Sequence, residues 1–274
     1  MTNDTYGTIA ITGKDAEHFL QGQLTADATQ AQHPLVAALL NPKGRALALG
    51  WLRKTEDSFL WIMPAELISP TITHLKRFVL RSQVSLTDAS ANWQVCLSTE
   101  VIAGIPCLPA MLQQKTGWFA SLMPAGTALN QDIPAFHLAC LQATYPTLSL
   151  ATRERFTPHE LNLLAFEGVS FTKGCYTGQE IVARMHYRGK PKTALRTVNI
   201  KHLTPTDLEK GASLTLVDSE IAIELVDYQC LADNNVLALV LLPHDSQGQL
   251  ALRAETGQIG IMTLQPFSSA NTNR

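Results

Sequence analysis

The sequence predicts an α+β protein, with a larger mixed region followed by a small all-β barrel. Two patterns carry this. Up to Gly189 strand-like runs alternate with segments of helical periodicity. After Lys192 six short apolar runs follow one another, most of them separated by turn signals. The expected division is therefore 1–190, a barrel over 191–267, and a flexible polar tail over 268–274. With 274 residues, 46% of them hydrophobic and 16% charged, the chain can bury a core large enough for two domains.

Thr8–Thr12 reads as a strand ended by Gly13, and Lys14–Leu24 as a helix with Ala16, Phe19, Leu20 and Leu24 on one face. Leu35–Leu40 and Ala46–Leu52 flank Asn41-Pro42-Lys43-Gly44-Arg45, a hairpin with strong turn chemistry. Phe59–Met63 is a further strand. Ala65–Leu80 reads as a helix with Leu67, Ile68, Leu75, Phe78 and Val79 inward and Pro70 as an interruption. Val84–Asn130 reads as strands and loops, and Pro134–Ala143 as a helix carrying Phe136, Ala139, Cys140 and Ala143 on one face. Thr147–Thr157 is a loop; Thr157 as N-cap and Pro158 at N1 then open a helix towards Phe166. The barrel strands are Leu195–Ile200, Ser213–Val217, Ile221–Leu231, Val236–Leu242, Gln249–Ala254 and Gln258–Leu264.

Several function classes drop out on composition. A net charge of −2 gives no global basic field for general nucleic-acid binding. Gly-x-Gly-x-x-Gly and Walker patterns are absent, so dinucleotide or ATP chemistry is not indicated. Met1–Tyr6 is polar and unlike a signal peptide, and apolar runs such as Val236–Leu242 are too short to span a bilayer; a cytosolic location is expected. The five cysteines are odd in number and never form Cys-x-x-Cys, which disfavours a disulfide framework or a self-contained zinc or cluster site. Cys96, Cys107, Cys140 and Cys230 have apolar neighbours and are expected in the core.

Cys175 is different. It lies in Phe171-Thr172-Lys173-Gly174-Cys175-Tyr176-Thr177-Gly178-Gln179-Glu180, a turn that leads into a helix over Ile181–Arg188. Thr177 and Glu180 have capping-box spacing, Tyr176 and Ile181 have staple spacing, and Glu180 and Arg184 form an i,i+4 pair. The helix end and Lys173 would together favour a thiolate. Three readings stay open: a structural turn cysteine between glycines, a functional thiol, or a Cys–His nucleophile with His159 or His186 as base. Next to it, Arg184, Arg188, Lys190, Lys192 and Arg196 form either a solvated surface or a landing site for an anion, a carboxylate-bearing cofactor or an RNA phosphate.

Lys173-Gly174-Cys175-Tyr176-Thr177-Gly178-Gln179-Glu180 resembles the signature of the YgfZ family of folate-binding proteins. Gly13 with Phe19-Leu20-Gln21-Gly22-Gln23-Leu24-Thr25-Ala26-Asp27, Pro42-Lys43-Gly44-Arg45, and Phe156-Thr157-Pro158 with Asn162-Leu163 resemble further family segments in the same order. The likeness runs from about Tyr6 to Arg196 and weakens over the barrel. It implies a fold like the glycine-cleavage T-protein, with three subdomains in a ring around a folate-sized opening and a terminal β-barrel. It also implies a role in assembling or maintaining iron–sulfur clusters, and through cluster enzymes in tRNA thiomethylation. The implied partners are folate and iron–sulfur enzymes or assembly proteins, with tRNA reached indirectly and no membrane.

The resemblance further implies tetrahydrofolate or a derivative as cofactor, with Tyr6 and Phe136 at the positions of two binding tryptophans and Arg184 and Arg188 drawing the glutamate tail. Cys175 would act as the functional thiol at the rim of the opening, with Lys173 beside it. Where the T-protein carries an acidic pair after its hairpin turn, this chain reads Gly44-Arg45-Ala46-Leu47-Ala48-Leu49, so aminomethyltransferase activity is not expected. The alternatives are a folate-dependent one-carbon transferase with another acid, or a ligand-free protein scaffold.

Overall fold

A computed structural model describes residues 6–127, 132–189 and 191–265. Its first unit is an antiparallel sheet. Strands β1 (Tyr6–Thr12), β2 (Leu35–Leu40), β3 (Ala46–Lys54), β4 (Ser58–Pro64) and β5 (Ser85–Asp88) take the order β2-β3-β4-β1-β5. Strands β2 and β3 are buried almost throughout, because the sheet is covered on both faces there. Helix α1 (Ala16–Gln23) buries Ala16, Phe19 and Leu20, the face expected of it. Helix α2 (Ile68–Val79) follows a 3₁₀ turn over Ala65–Leu67. Pro70 does not interrupt α2: it falls in the first turn, where no backbone N–H has an intrahelical acceptor to lose. Phe78, expected inward, is 37% exposed.

The middle of the chain folds into a second, smaller sheet. Strands β6 (Trp93–Ser98), β7 (Ile105–Pro106) and β8 (Phe119–Pro124) take the order β6-β8-β7. Between β7 and β8 lies a helix the sequence reading did not anticipate, α3 (Ala110–Thr116), closed by Gly117 in the left-handed region at φ 73°. Helix α4 (Ile133–Gln142) is capped by the Asp132 side chain, which accepts from the Ala135 N–H at 2.9 Å.

At Thr157 the expected cap forms: its hydroxyl accepts from the Glu160 N–H at 3.3 Å, and the Glu160 carboxylate accepts from the Thr157 N–H at 2.8 Å. The helix itself does not propagate. Asn162 turns left-handed at φ 57°, and only a 3₁₀ turn over Leu163–Phe166 follows.

Helix α5 (Gln179–Arg188) stops at Gly189. Strands β9 (Thr193–Lys201), β10 (Ser213–Leu216), β11 (Ile221–Cys230), β12 (Asn235–Pro243), β13 (Gln249–Arg253) and β14 (Ile259–Leu264) then close into a barrel in the order β10-β11-β12-β9-β14-β13. All six match predicted strands. Alternation splits their side chains between two cores. Val198, Ile200, Leu214 and Val240 pack inside the barrel, whereas Leu195, Val226, Leu237, Leu239 and Leu241 join the main core. Three of the four cysteines expected in the core are there; Cys230, at the end of β11, is exposed. The tail over 268–274 lies outside the described residues. No helix among the described residues is long and apolar enough to cross a membrane.

Candidate functional site

The turn before α5 is where separate segments of the chain meet. Lys173 Nζ donates to the carbonyls of Leu24 at 2.6 Å and Ala26 at 2.8 Å, and sits 5.0 Å from the Tyr176 ring centroid. The Thr177 N–H donates to the Gly22 carbonyl at 3.4 Å, and the Ser170 N–H to the Thr25 carbonyl at 2.9 Å. The turn is thus fastened to the last turn of α1 and to the stretch that follows it. On its other side Gly178, at φ +81°, lies against the β2–β3 hairpin turn. A Cβ at Gly178 would come within 2.7 Å of the Asn41 carbonyl oxygen, and one at Gly44, at φ +73°, within 3.0 Å of Ile181. Neither position tolerates a side chain.

Two local expectations need correction. Thr177 and Glu180 do not form a capping box: Gly178 is the N-cap of α5, with no side-chain cap, and the Thr177 backbone is turned to Gly22 instead. No ion pair joins Glu180 to Arg184 among the described residues. Lys173 is also not aimed at the thiol. Its ammonium is committed to two carbonyls, and burial lowers its pKa to about 8, with Asp27 opposing.

Cys175 and Gly174 are exposed, in a turn whose Lys173 and Tyr176 are held inward. The two candidate bases make a different cluster. His186 stacks on Phe171 with ring centroids 4.0 Å apart at 16°, and His159 lies 6.2 Å from His186. Both ring nitrogens of His159 are buried without a hydrogen-bond partner, and burial followed by the proximity of His186 lowers its pKa. No hydrogen bond among the described residues links either imidazole to Cys175, so the Cys–His reading has no geometric support. His186 is exposed.

A second feature lies against the middle of β3. A narrow cleft with about 10 Å³ of free volume is lined by Tyr6, Leu49, Gly50, Trp51, Ile62 and Met63 on one side and by Tyr145, Pro146, Thr147 and Leu148 on the other. Tyr6 stacks on Trp51 with centroids 5.0 Å apart, and the Trp51 indole N–H donates to the Tyr145 hydroxyl at 3.1 Å. Phe136 is fully buried and packs edge-on against Tyr6, Trp51 and Trp118, so it backs the wall and offers no face to a ligand. Of the two carried-over aromatics, only Tyr6 reaches the cleft. Trp51, which the sequence reading did not assign, supplies the second ring; its alternation with buried Leu49 on a strand after the hairpin was the available signal.

The lining of the cleft, though not its width, suits the ring of a folate. Two aromatic rings and a largely apolar lining fit a flat heterocycle, and the Trp61 indole N–H next to Gly50 is buried with no partner. At about 10 Å³ the cleft has room for roughly one water molecule, so its walls must part before a ring can enter. Of the strand Gly44–Leu49, which the resemblance matches to the T-protein's acidic pair, Leu49 lines the cleft, and no carboxylate is among the lining residues. Cys175 is not among them either. From Gly44 to Gly50 a strand runs about 20 Å at ~3.3 Å per residue, which sets the turn and the cleft apart along the hairpin. Arg184 and Arg188 are exposed on α5 and also do not line the cleft, so a folate-tail role for them has no support in their placement. Lys190 lies outside the described residues.

No family model matches the chain. It is 32% identical over 233 residues to the tRNA-modifying protein YgfZ of Escherichia coli (strain K12 / DH10B), covering 71% of this chain and 70% of that protein. An uncharacterized protein of Haemophilus influenzae is 31% identical over 217 residues, covering 77% and 76%. Among solved structures, the glycine cleavage system aminomethyltransferase T from Bartonella henselae superposes with a TM-score of 0.68 over 96% of this chain and 84% of that one. At 15% identity that likeness establishes the fold: α+β, T-protein-like, ending in a closed barrel.

Proposed function

The chain belongs to the YgfZ family, and from that membership we propose that it is a cytosolic, folate-binding accessory protein that supports assembly or maintenance of iron–sulfur enzymes and thereby tRNA modification. The observation that carries this reading is the junction at Cys175. Four hydrogen bonds from Lys173, Thr177 and Ser170, and the close approach of Gly178 to the hairpin turn, hold the turn against two other family segments and leave the thiol exposed. A cysteine needed only for packing has no reason to face outward from so constrained a turn. Tetrahydrofolate or a derivative would bind at this cleft against the Tyr6 ring, and the Trp51–Tyr145 hydrogen bond would have to part for a ring to pass further in. The chain brings no carboxylate to that lining, so aminomethyl transfer is not part of the proposal.

Two measurements test it. Titration with tetrahydrofolate should quench tryptophan emission, because Trp51 lines the cleft, and Trp51→Phe should remove most of the response. A saturable response that is the same in both proteins would place folate elsewhere. In a null strain, Cys175→Ala should express and fold normally yet fail to restore cluster-dependent tRNA thiomethylation. Full rescue would reduce the cysteine to scaffolding.

A further inference from the structure

Helix α5 carries a surface that neither the cleft nor the thiol accounts for. Tyr187 is 69% exposed although it belongs to a built cluster of rings. It meets His186 edge-on at 4.8 Å and Phe171 edge-on at 5.8 Å, and those two stack on each other at 4.0 Å. Its ring is therefore supported from behind while its outer face stays open. An exposed tyrosine that packs against nothing would be unremarkable; one braced by a stacked pair is pre-organised.

Cations gather on the exposed side of this helix. Arg184 and Arg188 are exposed one helical turn apart, and Lys192 follows just past the helix. The hairpin turn that packs on the first turn of α5 adds exposed Lys43 and Arg45. None of the five takes part in an ion pair among the described residues. The helix has one acid, Glu180, in its first turn, away from Tyr187 and Arg188. In a chain of net charge −2 this is a local concentration of cations.

We propose that this face of α5 binds RNA directly, an unpaired base stacking on Tyr187 while the flanking phosphates meet Arg184 and Arg188. Open aromatic faces set among cations are how proteins hold single strands: stacking supplies sequence-tolerant affinity, and the cations follow the backbone. An acidic protein partner would use the cations and leave the ring idle. Cys175 opens the turn from which α5 grows, so a strand bound here would pass beside the motif. The inference rests on the tRNA-modification reading for its choice of RNA, and it replaces an indirect relation to tRNA with contact.

The test is fluorescence anisotropy of a labelled tRNA anticodon stem-loop against the full chain, over a range of salt. The wild type should bind with strong salt dependence. Tyr187→Ala should weaken binding at least about fivefold, and Tyr187→Phe should retain it. Arg184→Gln combined with Arg188→Gln should flatten the slope of log affinity against log salt by about 1.4, at ~0.7 per single-strand phosphate contact. Heparin titrations should respond to the arginine changes and not to Tyr187→Ala. No RNA binding by the wild type overturns the proposal, as does RNA binding indifferent to Tyr187. A tetrahydrofolate titration of the same samples separates the two readings: folate bound without RNA defeats this inference alone, and loss of folate binding in the wild type defeats the functional reading.

Discussion

Lys173 shows how a residue beside a candidate nucleophile can belong to the scaffold. Sequence proximity suggested a positive field at Cys175, but the ammonium turns inward to two carbonyls and the Tyr176 ring. Burial lowers its pKa from 10.5 to about 8. Below about pH 8 both the folded and unfolded chains hold this proton; between about 8 and 10.5 only the unfolded chain does, so stability rises with pH across that window. Urea midpoints at pH 7.5 and 9.5 should therefore show the wild type gaining on Lys173→Met as pH rises. Parallel behaviour of the two proteins would mean that Lys173 does not carry the shift. The octapeptide stood out in the sequence; the direction each of its side chains takes did not. Direction depends on the Leu24 and Ala26 carbonyls, some 150 positions earlier in the chain, and no local pattern encodes them.

Elements were read more reliably than their ends. Strand period and turn chemistry located all six barrel strands and the β2–β3 hairpin, because alternating burial writes itself directly into sequence. Helix α3 was missed: at seven residues it is too short for a periodic face to stand out from its Pro and Gly flanks. The two S/T-x-x-E spacings had opposite outcomes. Thr157–Glu160 forms the reciprocal cap, whereas at Thr177–Glu180 a tertiary contact between two glycines decides the helix start. That contact yields a prediction at this scale. Gly178→Ala must adopt φ near +81° and press a methyl group on the Asn41 carbonyl. A loss of about 1–3 kcal/mol is expected from the backbone conformation alone. The thiol should become mobile as well, seen as a changed rate of Cys175 alkylation under native conditions. A variant with wild-type stability and alkylation rate would show that the hairpin does not brace the turn.

At the scale of the whole molecule, the barrel must be held against the cleft, and one carboxylate is placed to do it. The strand register slips between Leu225 and Asp227, and this bulge sets Asp227 in the interior, fully buried. Its oxygens lie 2.9 Å from His137 Nε2 on α4 and 2.7 Å from Lys210 Nζ, and accept from the N–H of Thr147 at 3.0 Å. Thr147 lines the cleft. A single barrel residue thus fixes a helix, a barrel loop and a cleft wall to one another. Burial pushes its pKa up, but His137 and Lys210 outweigh this and hold it down at about 2, below the ordinary 3.8. The sign follows: the folded chain keeps the charge while the unfolded chain takes up a proton, so this stabilisation is complete above pH 3.8 and is lost as pH falls towards 2. Asp227→Asn leaves Lys210, 13% exposed, without its anion, and breaking a buried pair from one side costs about 3–5 kcal/mol. It should unfold at lower urea at neutral pH, lose part of the acid dependence between pH 4 and 2, and bind tetrahydrofolate more weakly because the Thr147 wall is released. The barrel interior, built from Val198, Ile200, Leu214 and Val240, does not include the network, so strand signal in circular dichroism should outlast the tryptophan signal from Trp51 as the variant is denatured. Coincident loss of the two signals, with an unchanged acid transition, would show that apolar contacts alone hold the barrel in place.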